Sequence, residues 1–432
     1  MVIDEETIKD GLDSKILSLL IGRHRQGIDR LNRLNDYYMG KHDILNRVRS
    51  GDKIANNRII CNHAKYIVDM AKSYLVGNPI TYSCSENYNI DAVKNCYDEQ
   101  DMASLDAELE KEMSICGRAY ELIYADENSQ PRSVRISPFE TFIVYSCSVG
   151  KKPLFGVHYY RKYDISGNVA GVSCMVCDEN TIYNYESNSD NFADMHLTGK
   201  SRHYFGAVPI LEYDNNEECQ GDFEQIISLI DAYNLLMSDR INDKEQFVEA
   251  FLFLTGIDLD SDQAAKLKEE RILMGYEGAQ AQYLSKVMSE SDIEILRNNL
   301  KQDIHRFAMV PDLSDESFGN NLSGVAIKYR LMGFEQHVRN KERYFSKTLK
   351  RRFELYNAFL SLKGAMDYVP IHRVDVIFTR NMPTNDLELS QMVNNLHGIA
   401  TTETLLAQLP FVTDPQEEAQ LASKEYALDV TK

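Results

Sequence analysis

Three short stretches of the sequence contain residue types that could bind a nucleotide or a metal ion. The first, Gly199-Lys200-Ser201, resembles the end of a P-loop, the glycine-rich turn that binds phosphates. Asp194 stands where the first glycine of that motif belongs, and the residues between are not glycine-rich. We therefore predict that this segment does not bind ATP.

The second stretch has the spacing of carboxylates found in calcium-binding loops. Positions 1, 3, 5 and 12 are occupied by Asp258, Asp260, Asp262 and Glu269. Gln263 replaces the glycine that the sharp turn at position 6 requires. We favour a helix cap at Ser261 or Asp262, with a weak cation site as the alternative. Our prediction is that the protein binds no metal.

The third stretch is the C-x2-C pair of Cys174 and Cys177. The sequence has no second pair at zinc-finger spacing and no H-E-x-x-H cluster, so we interpret the thiols as reduced and structural. A lone histidine such as His305 is interpreted as structural as well. We therefore predict no catalytic residue, no cofactor and no enzymatic activity.

The composition is that of a folded protein rather than a membrane or basic nucleic-acid-binding protein. The 432 residues are 43% hydrophobic. The chain has 47 basic and 66 acidic residues, which gives a formal net charge of -19. A basic surface that captures nucleic acid is therefore disfavoured. No window approaches the apolar length of a membrane helix, and the acidic start is unlike a secretory signal, so we expect an intracellular protein without membrane contact.

The N-terminal half must combine helices with short strands. A helical apolar pattern includes Ile16, Leu20, Ile28 and Leu34, and a later helix, through Ile67 to Tyr74, should end at Gly77 in a left-handed cap before Pro79. Between about residues 117 and 212 the pattern changes to alternating runs. Strands are predicted at 119–124, 141–145, 156–160 and 181–185.

The C-terminal half is predicted to be mainly helical. An apolar stripe from Phe223 to Leu252 predicts a helix ended by Gly256. A second helix should run to Phe307 from a capping box of Ser291 and Glu294. A third, from about residue 325 to 362, is long enough to need support that other copies of the chain could supply. Residues 310–326, between the second and third helices, are polar and rich in glycine and asparagine, and spacing alone favours a plain connector.

The third helix contains the main basic cluster of this acidic chain. Its members are Lys328, Arg330, Arg339, Lys341, Arg343, Lys347, Lys350, Arg351 and Arg352. We favour neutralisation of acidic surfaces on a neighbouring subunit, with a phosphate-facing ring as the alternative.

Several short blocks, in this order along nearly the whole chain, carry a family resemblance. They are Tyr37 to Gly40, Asn56 to Ile59, Val76 to Ile80, Gly117 to Glu121, Phe205 to Ile210, Leu229 to Asn234, Val310 to Ala326 and Phe378 to Pro383. Together they resemble portal proteins of tailed bacteriophages, in the branch of siphophages and prophages of Gram-positive hosts. The alternatives are a capsid-associated adaptor or scaffold without a DNA channel, and a nucleotide- or metal-dependent enzyme.

The resemblance implies an α+β portal fold assembled as a ring, typically of twelve copies, at one capsid vertex of the virion after assembly in the host cytoplasm. The implied parts are the wing (1–222), first stem helix (223–256), clip (257–290), second stem helix (291–309), tunnel loop (310–324), long inner helix (325–364), return strand (365–382) and crown (383–432). Double-stranded DNA would pass through the channel during packaging and ejection. The implied partners are the major capsid and scaffold proteins, the large terminase subunit and a head-completion adaptor.

The tunnel loop is the implied contact with DNA. Its candidate residues, with the cation that follows, are Asp312, Asp315, Glu316, Asn320, Asn321 and Lys328. Carboxylates would repel the phosphates and keep the barrier to sliding low, whereas asparagines offer neutral contacts. We expect this surface to guide DNA without holding it.

Overall fold

A computed structural model of the chain shows a mixed α+β architecture. It describes residues 1–8, 12–49, 55–85, 88–248, 251–255, 280–284, 290–314, 324–380, 386–409, 412 and 415–429. The chain divides into two compact units. The larger unit contains Met1–Met39, His63–Ile226 and His305–Lys432, and the smaller unit contains Gly40–Asn62 and Ile227–Ile304.

The secondary structure alternates between helical and strand-rich regions. The strands are β1 (Val2–Ile3), β2 (Thr81–Cys84), β3 (Arg118–Ala125), β4 (Pro131–Ile136), β5 (Thr141–Ser146), β6 (Pro153–Tyr163), β7 (Val169–Cys177), β8 (Thr181–Ser187), β9 (His196–Arg202), β10 (Ile210–Asp214), β11 (Phe251–Thr255), β12 (Gln280–Leu284) and β13 (Val374–Ile377). The helices are α1 (Ser14–Arg25), α2 (Ile28–Tyr38), α3 (His63–Val76), α4 (Asp91–Glu99), α5 (Met102–Cys116), α6 (Ile227–Val248), α7 (Glu290–Ala308), α8 (Gly324–Leu362), α9 (Asp386–Leu396), α10 (Thr402–Leu406) and α11 (Pro415–Asp429). The four predicted strands are confirmed as β3, β5, β6 and β8.

The main sheet of the larger unit has the order β1-β5-β6-β7-β8-β9. Strand β1 is parallel to β5, and the other neighbours are antiparallel. Alternate residues of β5 enter different cores, since Phe142 and Val144 pack with α1 residues such as Leu17, whereas Ile143 packs with residues of β3, β4 and β10. The sheet is therefore covered on both faces along β5.

The predicted N-terminal helices differ from the structure in one detail. The first apolar pattern is divided into α1 and α2 around Gly27, the residue that precedes α2. Helix α3 ends at Val76, directly before Gly77, as predicted. The following Pro79 has no backbone N–H for a further helical bond, which agrees with a stop at this point.

The long helix α8 is confirmed at 39 residues, and its support comes from its own chain. Phe345, Leu349 and Phe353 are fully buried within the larger unit, where α8 packs against α4, β10 and β13. Strand β13 returns to pair with β2, antiparallel, from Val374 opposite Cys84. A neighbouring copy is therefore not required to bury this apolar face.

A hydrogen-bonded ladder organises the smaller unit. Asn234, Ser238 and Asn242 follow one face of α6 at intervals of four residues. Their side-chain oxygens accept the backbone N–H groups of Cys61 (2.8 Å), Ile59 (2.9 Å) and Asn57 (2.7 Å), respectively. Four helical residues advance about 6 Å and two extended residues about 6.6 Å, so the two repeats match. We call this set the α6 ladder.

The predicted bounds of the first and second stem helices are corrected in part. Helix α6 ends at Val248, and Phe251–Thr255 forms strand β11 antiparallel to β12, so the prediction of helix as far as Gly256 was wrong. Periodicity could not distinguish the two, because a short apolar run fits either a strand or a helix. Helix α7 begins at Glu290, which places Ser291 inside the first turn rather than at the predicted cap.

Candidate functional site

The chain leaves α7 through a defined C-terminal turn. Met309 has a left-handed φ of 55°. Its N–H donates to the Arg306 carbonyl oxygen at 3.3 Å, and the Val310 N–H donates to the His305 carbonyl oxygen at 3.2 Å. This pair of bonds is a Schellman motif, which satisfies carbonyl groups at the helix end. Pro311 follows and cannot continue the helix. The predicted loop therefore begins at a fixed point.

Tyr66 of α3 fixes the first residues of that loop. Its hydroxyl donates to the Pro311 carbonyl oxygen at 3.0 Å and accepts from the Leu313 N–H at 3.1 Å. His305 packs edge-on against the Tyr66 ring, with centroids 5.5 Å apart, and its Nδ1 lies 3.1 Å from the Val310 carbonyl oxygen. These contacts agree with the structural interpretation of His305.

Of the six predicted DNA-facing residues, only Asp312 has a side chain in the described part of the structure. Asp312 is described, and its Oδ1 accepts from the backbone N–H and the hydroxyl of Ser314 at 3.1 and 2.6 Å. Lys328 lies in α8, but its side chain is outside the described part of the structure. Four further candidates lie outside the described residues, namely Asp315, Glu316, Asn320 and Asn321.

Arg352 of α8 lies in the core of the larger unit, contrary to the prediction of an exposed basic face. Its Nη1 is 2.6 Å from Asp106 Oδ1, and its Nε is 2.9 Å from Glu121. The arginine and Glu121 are fully buried, and the Tyr213 hydroxyl donates to Glu121. Burial opposes the charge, but Asp106 and Glu121 raise the pKa of Arg352.

Lys341, three turns earlier, is buried in a second network. Its Nζ donates to Glu110 Oε1 at 2.7 Å, to the Ser114 hydroxyl at 2.5 Å and to Asp222 Oδ2 at 2.7 Å, which uses all three ammonium donors. Burial alone would raise the pKa of Asp222, but Lys341 and the nearby His337, whose Nε2 lies 3.5 Å from Asp222 Oδ1, hold it well below its usual range. Lys341 therefore stays charged inside the fold.

Four other members of the basic cluster either pair within α8 or are exposed. Arg339 pairs with Glu335 and Arg351 with Glu354 on the same helix. Arg343 and Lys347 are exposed. The prediction that Lys341 and Arg352 belong to a surface for a neighbour or for phosphates was therefore wrong.

A pattern in the sequence could have revealed the two buried cations. Lys341 and Arg352 continue the apolar stripe of α8 at helical spacing, between Val338 and Phe345 and between Leu349 and Tyr356. Their partners were equally visible. Asp106, Glu110 and Ser114 recur every four residues along α5, so one face of that helix presents acceptors in a row.

The other candidate sites of the sequence lie either in strands of the main sheet or outside the described residues. Gly199-Lys200-Ser201 lies within strand β9 rather than in a phosphate-binding turn. Cys174 and Cys177 are buried free thiols in β7, and burial raises the pKa of both. The described part of the chain contains no group of three or more metal-ligating side chains. The calcium-like carboxylates from Asp258 to Glu269 lie outside it.

No helix in the described ranges is long and apolar enough to cross a membrane.

Comparison with known proteins decides between the remaining classes. A family model described as phage portal protein, SPP1 Gp6-like, matches residues 17–430. The chain belongs to this portal family. The portal protein of Bacillus phage SPP1 is 26% identical over 96% of this chain and 86% of its own length. That of Clostridium phage phiCD119 is 25% identical over 92% of both chains.

The match confirms the predicted family and function. The portal protein is a phage structural protein that forms the DNA-packaging channel at a capsid vertex. An adaptor or scaffold without a channel is not favoured by these matches.

Proposed function

We propose that this portal subunit assembles with further copies into a closed ring, with twelve copies in particles, and that double-stranded DNA enters and leaves through its central hole. Exposed apolar side chains support an assembly. On α7, Ile295 and Leu296 are 58% and 49% exposed, and Leu235 of α6 is 44% exposed. Burying such side chains against a neighbouring copy would be favourable.

Residues 310–324 are proposed to form the loop that faces DNA in the channel. The observation that carries this assignment is the turn at Met309, after which Tyr66 holds Pro311 and Leu313 so that the chain leaves α7 at a fixed position. Asp312, Asp315 and Glu316 would place negative charge beside the phosphates, with Asn320, Asn321 and Lys328 as nearby polar and cationic contacts. A sliding polyanion would then meet repulsion rather than tight binding.

The burial of Lys341 and Arg352 of α8 also supports a channel through which DNA slides without tight binding. DNA has about one negative charge per 1.7 Å of its axis, so exposed arginines along a channel would slow its passage. Lys341 and Arg352 are instead neutralised by carboxylates of their own chain. Two of the strongest potential phosphate contacts on α8 are thus withdrawn from any DNA surface.

The remaining parts follow the proposed portal architecture. Residues 1–222 form the wing toward the major capsid and scaffold proteins, 223–256 and 291–309 the stem, and 257–290 the clip for the terminase and later the head-completion adaptor. Residues 325–364 form the inner helix, 365–382 the strand returning to the wing, and 383–432 the crown. We propose a structural role without catalysis, cofactor or metal.

Deleting residues 312–323 tests the loop assignment. We expect the variant to form rings like the unchanged protein in negative-stain images, but to give particles with less packaged or retained DNA. A control variant removes one carboxylate far from the loop, for example Glu127→Gln at an exposed turn. Loss of rings in the deletion variant would show that the loop is mainly structural. Normal DNA content would contradict its role in the channel.

A further inference from the structure

Strand β9 is an open edge of the six-stranded sheet. It is the last strand in the order and pairs only with β8 among the described strands. Six of its seven residues, all except Gly199, are exposed. An uncovered edge strand of this length is a template on which another extended chain can pair.

The backbone of β9 presents hydrogen-bonding groups at that edge. The His203 N–H donates to the Asn180 carbonyl oxygen at 2.9 Å, immediately after β9 ends. In an antiparallel pair, successive residues alternate between facing the partner strand and facing away. Lys200 and Arg202, opposite Tyr183 and Thr181, therefore direct their backbone N–H and carbonyl groups to the open side.

The side chains of this edge are basic in a chain of net charge -19. Lys200 and Arg202 belong to the strand together with His196, and β9 contains no acidic residue. Within the described part of the chain, neither Lys200 nor Arg202 forms an ion pair. The Lys200 ammonium instead lies over the Tyr183 ring, 5.0 Å from its centroid. An acidic strand would complement this edge, since opposite charges across neighbouring strands stabilise pairing.

A second copy of the chain does not supply a suitable strand from this sheet. Pairing β9 with β9 would bring Lys200 and Arg202 of two copies close together, and like charges across strands are unfavourable. The opposite edge is β1, which covers only Val2–Ile3. We propose that β9 binds an extended acidic segment of a different protein, which adds a seventh strand to the sheet. This inference goes beyond the channel function and does not depend on ring formation.

Binding of a synthetic acidic peptide tests the proposal. The probe is a fluorescein-labelled octapeptide of alternating valine and glutamate, added to the full-length chain and followed by fluorescence anisotropy. Lys200→Gln with Arg202→Gln should weaken binding about two- to thirtyfold, from two lost cross-strand charge pairs. The matched control, Arg343→Gln with Lys347→Gln on exposed positions of α8, should leave it unchanged. Hydrogen exchange should slow at Lys200 and Arg202 when the peptide binds.

Several outcomes would overturn the proposal. One is that the valine–glutamate octapeptide binds equally well after N-methylation at alternate residues. This methylated probe keeps its charge but loses the amide donors that strand pairing needs. Another is that the valine–glutamate octapeptide does not bind at all. A third is that a valine–lysine octapeptide binds as tightly as the valine–glutamate octapeptide. Competition by duplex DNA that depends on Lys200 and Arg202 would indicate a nucleic-acid surface instead. Protection of β9 on ring formation without peptide would identify a second copy as the occupant. Absence of rings in these samples would contradict the proposed assembly alone.

Discussion

The two long helices α6 and α8 are anchored by different chemistry. Helix α8 is held in the larger unit by two buried cations, Lys341 and Arg352, each surrounded by carboxylates. Helix α6 is held to the extended segment of the smaller unit by the neutral α6 ladder. The charged contacts depend on complete sets of partners, whereas the ladder depends on a match between two backbone repeats.

The comparison shows which contacts determine the position of the long helix in each unit. A buried ion pair gives little net stability, but losing one partner leaves an uncompensated charge in the core. The networks therefore select strongly for one position of α8 against α5 and β3. Removing one hydrogen bond from a neutral ladder destabilises the fold less, because a buried amide without a partner costs less free energy than a buried unpaired charge. The predictions below test this difference.

The largest effect is expected for Arg352→Met. The substitution leaves Asp106 and Glu121 buried without their cation and should lower the free energy of unfolding by about 3–5 kcal/mol. Urea denaturation of the full chain measures it. The neighbouring Arg351→Met removes only an exposed pair within α8, so its effect should stay below about 0.5 kcal/mol. Equal losses for the two variants would show that burial of the arginine has no energetic importance.

A smaller loss is expected in the α6 ladder. Asn234→Ala removes the acceptor of the Cys61 N–H and the amide that lies 2.8 Å from His42 Nδ1. The unfolding free energy should fall by about 2–3 kcal/mol, because both groups lose buried partners. Asn298→Ala, at an exposed position of α7, is the matched control. The idea of a neutral ladder fails if the loss for Asn234 reaches that for Arg352.

Titration separates charge from packing within the larger unit. Burial lowers the pKa of His24 to about 4 from an ordinary value near 6.5, and its Nδ1 lies 2.9 Å from the Tyr159 hydroxyl. Because the folded pKa is depressed, this stability is present above pH 6.5 and is lost as pH falls toward 4. Between pH 7 and 4.5, wild type should lose about 2–2.5 kcal/mol more than His24→Gln. Parallel pH curves would exclude His24 as a source of the acid sensitivity.

The smallest effect is expected at the start of residues 310–324. Tyr66→Phe removes the hydroxyl that bridges Pro311 and Leu313, which should cost about 0.5–1.5 kcal/mol. Hydrogen exchange should become faster at 312–314 while α8 stays protected. Tyr329→Phe, whose side chain is 74% exposed, is the control. Unchanged exchange at 312–314 would mean that Tyr66 does not fix the loop.

The sequence was most informative where a regular pattern met an unambiguous boundary. The 39-residue helix α8 and the strands β3, β5, β6 and β8 followed from periodicity. The family followed from the order of short blocks, which depends on no single element. Strand β11 was missed because Phe251–Thr255 is a continuous apolar run that suits either structure.

Most of the candidate site could not be predicted from the sequence. Pairing of Arg352 with Asp106 and Glu121 joins positions more than 200 residues apart, and periodicity contains no such long-range information. The burial of Lys341 and Arg352 was nevertheless predictable from their place on the apolar stripe. The α6 ladder involves residues of two family blocks. Asn57 and Ile59 of one block donate to Asn242 and Ser238 of α6, and Asn234 of the other block accepts from Cys61.

Cryo-electron microscopy of the purified full-length protein tests the central claim most directly. We expect closed rings with an axial hole, residues 310–324 at the channel surface, and Lys341 and Arg352 buried within each subunit. Uniform monomers would contradict the proposed assembly. Rings in which residues 310–324 lie on the outer surface, or in which Lys341 and Arg352 face the hole, would contradict the proposed path of DNA.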